Sequence, residues 1–313
     1  MRKIIIGVLF FVVIAYFGIG FYVYGESVAV PCSIVESEKD NRPDNFSLGE
    51  KADWDPSKYF VQDYETVLIN TNDGVVLSGW WMETDKNAPT VIGLHGVTSG
   101  KHSPDVLLVG GMLVSEGFNY LTFDFRDHGE STCEDGVHSA GQKEIYDVKA
   151  AVDWLINEKN IPSNKIGIHG SSFGAMVALM AQYTSDDISA LSIVDTPFDF
   201  ATLVREELIY QGFPPFLYEP VNHYALLFEG IDITEVSPED GVSKGKNPMI
   251  IFNGIKSDRV LSHHTDDLIN AGNQYNVEML INRYPELSHT EIMFVYPDEF
   301  LSKIVPFFRE RLN

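Results

Sequence analysis

Apolar residues run without a charge from Ile4 to Tyr24, directly after Arg2 and Lys3. A helix over those 21 residues extends roughly 31 Å, about the thickness of bilayer hydrocarbon. On the far side Glu26 comes first and the next cation is Lys39, so the positive-inside bias puts the N-terminus in the cytoplasm and the rest outside. A cleaved signal peptide with Ser27-Val28-Ala29 at the cut is the competing reading, and would give a secreted product. The run exceeds the ~7–15-residue core of a signal peptide, which favours a single-pass anchor over residues 1–25.

Residues 26–58 are polar, acidic and Pro-containing, and read as a stem. From residue 59 to 313 the pattern becomes that of a folded domain. Two β-rich runs, Tyr64–Asn70 and Val75–Met82, flank Thr71-Asn72-Asp73-Gly74, a hairpin turn. Short apolar strands then alternate with amphipathic helices. The strands are Thr90–Leu94, Tyr120–Phe125, Lys165–His169, Ala190–Val194, Met249–Asn253 and Val277–Ile281. The helices fall at Pro104–Glu116, Gln142–Asn157, after Ser172, at Ser262–Ala271 and at Asp298–Arg311. Continuous apolar strands between such helices imply an α/β fold whose mostly parallel sheet is covered on both faces. The stretch 198–246 is longer than one crossover needs and reads as a small helical cap.

Chemistry enters at Gly170-Ser171-Ser172-Phe173-Gly174, a G-x-S-x-G between a strand and a helix. A serine hydroxyl must be presented unhindered to a base. A sharp strand-to-helix turn does this, but crowds the residues two before and two after, where glycine removes the Cβ clash. The Phe173 amide, at the helix start, then faces a developing oxyanion. Later strand exits supply an acid, Asp258, beyond Gly254-Ile255-Lys256-Ser257, and a base, His289, in Tyr284-Pro285-Glu286-Leu287-Ser288-His289-Thr290. The order Ser…Asp…His is that of the nucleophile-elbow architecture. Asp195, at another strand end, is the runner-up acid. His95-Gly96-Val97 follows Thr90–Leu94; Gly96 lets the loop turn so that the Val97 amide joins that of Phe173, while His95 holds the loop by a side-chain hydrogen bond.

These motifs, with Leu94-His95-Gly96, Asp124–Ser131 and Val194-Asp195-Thr196-Pro197-Phe198, resemble the α/β-hydrolase superfamily from about Tyr64 to Arg311. They look most like its small-capped, membrane-anchored serine hydrolases and their bacterial relatives. The resemblance implies an α/β-hydrolase fold with an eight-stranded, mostly parallel sheet. It implies Ser172 as nucleophile, Asp258 as acid, His289 as base, and Val97 and Phe173 as the oxyanion donors. Two departures stand out. Asp127 occupies a place usually held by glycine, and the Gly254-to-Asp258 spacing is one residue longer than usual, leaving Ser257 in the usual register. Arg259-Val260-Leu261 favours Asp258 as the acid.

The net charge of −23 excludes a basic nucleic-acid surface. No Cys/His spacing resembles a zinc site, and the adjacent His263 and His264 should point apart on a helix. Neither a metal nor an organic cofactor is expected. Cys32 and Cys133 either pair, stapling stem to domain, or are unrelated thiols. The expected activity is hydrolysis of carboxylic esters or thioesters by a Ser-His-Asp acyl-enzyme mechanism, on a small-molecule acyl ester or lipid-like substrate beside the membrane. Phe198, Phe200, Phe213, Phe216, Leu217 and Tyr218 either line an acyl pocket or pack the cap. Two alternatives remain. One is a serine peptidase or aminopeptidase, with Glu206 and Glu207 holding a substrate amine; the other is a non-catalytic membrane-tethered scaffold.

Overall fold

The computed structural model describes residues 2–30 and 32–313. The chain opens with α1 (Arg2–Val28) and an irregular segment, then β1 (Glu65–Asn70), β2 (Val76–Met82), β3 (Thr90–Leu94), α2 (Pro104–Ser115), β4 (Asn119–Phe123) and α3 (Glu144–Asn157). It continues through β5 (Ile166–Ser171), α4 (Phe173–Ala181), β6 (Ala190–Val194), α5 (Phe200–Tyr210), α6 (Tyr218–Tyr224) and α7 (Pro238–Gly245). Last come β7 (Met249–Gly254), α8 (His263–Tyr275), β8 (Met279–Tyr284), the single turn α9 (Ile292–Val295) and α10 (Pro297–Arg311).

All eight strands form one sheet in the order β1-β2-β4-β3-β5-β6-β7-β8. Only the two pairings of β2 are antiparallel, because a tight hairpin reverses the chain at Thr71–Val75. Every pairing from β4 through β8 is parallel. The α/β series therefore feeds its loops to the C-terminal rim, where sites form in such sheets. One face carries α3, α4 and α8 on Ile168, Leu191 and Ile251; the other carries α2 and α10 on Val91, Val194 and Phe252. The side chains of β3, β4, β5, β6 and β7 are buried throughout, as double coverage requires.

Two elements differ from the sequence pattern. Strand β8 lies at Met279–Tyr284 rather than Val277–Ile281. It is the sheet edge and needs no continuous apolar run, so Asn282 and Arg283 extend it toward the site instead of ending it. Helix α8 continues to Tyr275 and stops at Asn276, whose φ of 58° is a left-handed cap.

The stem does not hang free. Phe46, Leu48 and Tyr59 are buried against α2 and α10, and the Trp54 indole donates to the Phe294 carbonyl at 2.7 Å. Cys32 and Cys133 form a disulfide across 101 residues, fixing the end of α1 to the loop after β4. That settles the open choice between pairing and free thiols in favour of the bond.

Between β6 and β7, α5 and α6 bury Val204, Leu208, Tyr218 and Val221 against Tyr24 and Val28 of α1. The cap thus shares a small core of its own with the apolar N-terminal helix.

Candidate active site

Strand β5 ends at Ser171 and α4 begins at Phe173, leaving Ser172 alone in the turn with φ 54° and ψ −120°. That conformation is costly for a side-chain-bearing residue and is held by the Ser172 amide donating to the Val194 carbonyl at 2.9 Å. The flanking glycines are sterically required. A Cβ on Gly170 would lie 2.5 Å from the Gly174 carbonyl oxygen, and one on Gly174 would lie 2.3 Å from that of Leu94.

The loop after β8 brings His289 across 117 residues to the elbow, where its Nε2 lies 2.9 Å from Ser172 Oγ. Its Nδ1 faces Ser257 Oγ at 3.2 Å. Asp258, expected to be the orienting acid, is not on the imidazole; it is exposed and has no hydrogen-bond partner among the described residues. The longer spacing is the cause. The Ser257 amide bonds back to the Gly254 carbonyl and the Val260 amide donates to Ser257 Oγ. This closes the turn with residue 257 inward, so residue 258 faces solvent.

Asp195, the runner-up, is buried with φ 45°. Its carboxylate accepts from the Gly254 amide at 2.8 Å, Asn253 Nδ2 at 3.1 Å and the Thr290 amide at 2.7 Å. It therefore clamps the strand exits that carry Ser257 and His289 rather than touching the ring. Burial pushes it up to about 6 against those three hydrogen bonds.

His289 is pushed down to about 4, first by burial and then by the Lys51 and Arg259 cations, with Asp258 opposing. Its imidazole is consequently neutral across the physiological range. That is the form able to accept a proton.

Val97 and Phe173 both line the cavity around Ser172, and neither amide has an acceptor among the described residues. The loop carrying Val97 turns at Thr98, φ 57°, rather than at Gly96. His95 is buried; its Nδ1 pairs with the Gly96 carbonyl at 2.7 Å and its Nε2 accepts from the Phe125 amide at 3.1 Å. Burial pushes it down to about 3, so it braces the loop as a neutral ring. The Asp124–Ser131 loop is also scaffolding: Lys101, wholly buried, reaches Asp124 at 2.5 Å, and Arg126 reaches Asp147 at 2.7 Å. Asp127 takes the left-handed conformation, φ 62°, and accepts the amides of Glu134, Asp135 and Gly136.

The cavity has a volume of about 570 Å³. Its walls come from places that motif spacing does not reveal: Glu38 and Lys51 of the stem, and Tyr22, Val23 and Glu26 of α1. From the cap, Phe200 and Phe213 line it, whereas Phe216, Leu217 and Tyr218 do not; Phe198 is buried in the core. Glu207 reaches the cavity with Arg259 3.4 Å away. Glu206 turns outward to both histidines of α8, 2.5 Å from His263 Nε2 and 3.1 Å from His264 Nε2. The two rings converge instead of pointing apart because both turn to the one Glu206 carboxylate, which leaves their centroids 4.4 Å apart. His264 Nδ1 accepts from the Phe198 amide, so its Nε2 carries the proton and donates to Glu206. This donor set ties cap to core and leaves that ring no lone pair for a metal.

The prolyl oligopeptidase family pattern matches residues 111–313. The chain belongs to that family. Among solved structures, an esterase of Pyrococcus furiosus, Pf2001, superposes with a TM-score of 0.68 and 26% identity, over 91% of this chain and 98% of that one. The acylaminoacyl peptidase of Pyrococcus horikoshii shares the fold, with a TM-score of 0.64 and 16% identity, over 80% of this chain and 42% of that one. Among sequences, Bacillus subtilis (strain 168) YqkD is 27% identical over 75% of this chain and 73% of its own. The Arabidopsis thaliana α/β hydrolase domain-containing protein WAV2 is 22% identical over 78% and 80%. The chain is thus an α/β-hydrolase superfamily member and a serine hydrolase of that fold.

Proposed function

We propose that this protein hydrolyses carboxylic esters or thioesters by acyl transfer through Ser172, from a domain tethered to a membrane by α1. The observation that carries the reading is the 2.9 Å contact between Ser172 Oγ and His289 Nε2, at a cavity bordered by two unengaged amides. Ser172 Oγ attacks the acyl carbon as its proton passes to His289 Nε2. The Val97 and Phe173 amides donate to the oxyanion, and the C–O or C–S bond breaks as the imidazolium protonates the leaving group. Water then enters by the same route and releases the acid. Ser257 Oγ accepts a hydrogen bond from Nδ1–H and so fixes the tautomer, a neutral group where a carboxylate is usual. Asp195 is the positioning residue that holds both loops.

A peptidase reading draws on the family's name and on Glu207 in the cavity. Against it, Arg259 pairs with Glu207 and the two histidines engage Glu206, so neither of the two cap carboxylates is free to hold a substrate amine. A scaffold without turnover would have no use for the strained elbow and its paired base.

A panel of p-nitrophenyl esters beside aminoacyl-p-nitroanilides separates these readings, with fluorophosphonate labelling as the check on the serine. The expected result is labelling abolished in Ser172→Ala, and ester turnover at least ~100-fold above anilide turnover. Faster anilide cleavage would make the protein a peptidase, and no labelling of folded protein would leave the scaffold.

A further inference from the structure

Helix α1 has two unlike halves. From Ile4 to Ile14 its large apolar side chains stand unaccompanied, each 53–71% exposed. From Tyr16 onward it lies along the cap. Gly20 is so close to α6 that a Cβ there would lie 2.3 Å from the Pro220 carbonyl oxygen. Phe17 packs edge-on to Phe228, and Phe21 to Tyr224.

The free half is too short to cross a bilayer. Eleven residues rise only about 16 Å, roughly half of the ~30 Å hydrocarbon layer. If α1 spans, the half lying against the cap must also sit at hydrocarbon depth, and it takes the cap with it. The outer face of the cap is built for that surrounding. Phe216 is 68% exposed, Leu227 64% and Phe228 61%; Phe228 packs on Phe17 and the turn holding Phe216 touches α1. Leu226 continues the same face. Two polar pairs alongside are satisfied within the protein: Tyr16 Oη with His223 Nδ1 at 2.6 Å, and Arg205 with Glu219 at 3.2 Å. Pairing is what a low-dielectric setting demands of such groups.

We infer that the outer face of the cap is sunk in the lipid bilayer beside α1, so that the cavity at Ser172 takes its acyl chain directly from the membrane. The cavity geometry supplies the second half of the statement. Tyr22 and Val23 line it from α1, and Phe213, itself 46% exposed, lines it from the cap. The same two elements thus form both the embedded face and a wall of the site. A chain leaving the hydrocarbon between them reaches Ser172 without crossing water. The substrate class is accordingly a long-chain acyl ester or thioester resident in the bilayer, which deepens the hydrolase reading and rests on it.

Two measurements on the full chain in phosphatidylcholine vesicles test the inference separately from the serine chemistry. The first replaces Leu227, or Leu68 on the outer face of β1 as a control, with Trp and compares quenching by phosphatidylcholine brominated in mid-chain. Immersion predicts strong added quenching for Leu227→Trp, and none for Leu68→Trp relative to the parent chain. Equal, negligible quenching of both overturns it, including when crosslinking shows a second copy of the chain covering the face. The second compares vesicle-borne p-nitrophenyl palmitate with water-soluble p-nitrophenyl acetate in the paired variant Phe216→Glu/Leu227→Glu. Palmitate turnover should fall about tenfold or more while acetate turnover stays within about twofold. Unchanged palmitate turnover would mean that the substrate enters from water. Loss of fluorophosphonate labelling in the parent would instead remove the hydrolase reading, and the quenching result would still stand.

Discussion

A serine stands where this fold usually places a carboxylate, and that one exchange sets the electrostatics of the base. With no carboxylate on Nδ1, burial and the Lys51 and Arg259 cations dominate, and His289 is held near 4. A base whose conjugate acid is that strong is neutral, and so competent, at any pH above its own pKa. The acid limb of kcat/KM should therefore fall near pH 4, well below the ordinary histidine range. Ser257→Asp restores a charge beside Nδ1 and should carry that limb upward by roughly one pH unit or more, with kcat rising about tenfold. Asp258→Asn, altering a solvent-facing carboxylate, should change kcat/KM by less than about twofold. A profile unchanged by Ser257→Asp, or a large loss in Asp258→Asn, would return the role to Asp258. The spacing from Gly254 already contained this result, since it left Ser257 in the inward register; the flanking Arg259-Val260-Leu261 match outweighed it. Sequence order alone does not say which residue of a turn faces in.

At the scale of elements, the elbow and the cap latch each make a claim. Gly174→Ala puts a Cβ against the backbone oxygens of Leu94 and His95, at 2.3 and 2.6 Å, which cannot yield as a flexible side chain would. A loss of roughly 2–3 kcal/mol is expected, visible as a lowered Tm together with lost labelling. The latch responds to pH. Burial pushes His263 down, but the Glu206 and Asp267 carboxylates outweigh it and hold the ring above its ordinary value. A raised folded pKa contributes stability that is fully present below the unfolded value and is lost as pH rises through the folded one. Amide exchange in α5 should accordingly speed up as pH climbs above the ordinary histidine range in the parent chain. In Glu206→Gln it should already be fast at pH 6. Exchange that slows with rising pH, after correction for intrinsic chemistry, would contradict the latch. Most elements were legible because strand and helix periods alternate cleanly between Thr90 and Asn253. Edge strand β8 was displaced because one-sided burial leaves a weak pattern, and the His263–His264 pair was misread because a carboxylate from the cap, Glu206, draws two adjacent rings to one point although their Cβ atoms diverge.

The whole molecule is held together by links the linear pattern did not display. Residues 26–58 read as a spacer because their apolar residues are sparse. Yet Phe46, Leu48 and Trp54, with Tyr59 just beyond them, are enough to fasten the stem to the face carrying α2, α9 and α10, and Lys51 and Glu38 reach the cavity from it. The Cys32–Cys133 bond closes a loop of about a hundred residues and, on the chain-entropy account, contributes about 4–5 kcal/mol. Such bonds persist in oxidising compartments, which agrees with the proposed membrane tether if the domain lies outside the cytoplasm. Cys133→Ser should lower Tm and open Lys39 and Arg42 to trypsin several-fold faster, with β-sheet content retained. Unaltered proteolysis would show that the stem is held by its aromatic anchors alone.

The central claim is that Ser172 becomes acylated with His289 as its base, and rapid-mixing kinetics with p-nitrophenyl butyrate address it directly. A burst of p-nitrophenolate stoichiometric with the protein is expected, along with a butyryl mass increment on the peptide containing Ser172. Both should vanish in Ser172→Ala, and the burst rate should fall by at least ~10³-fold in His289→Ala. Steady turnover without a burst or increment, undiminished in either variant, would contradict the account.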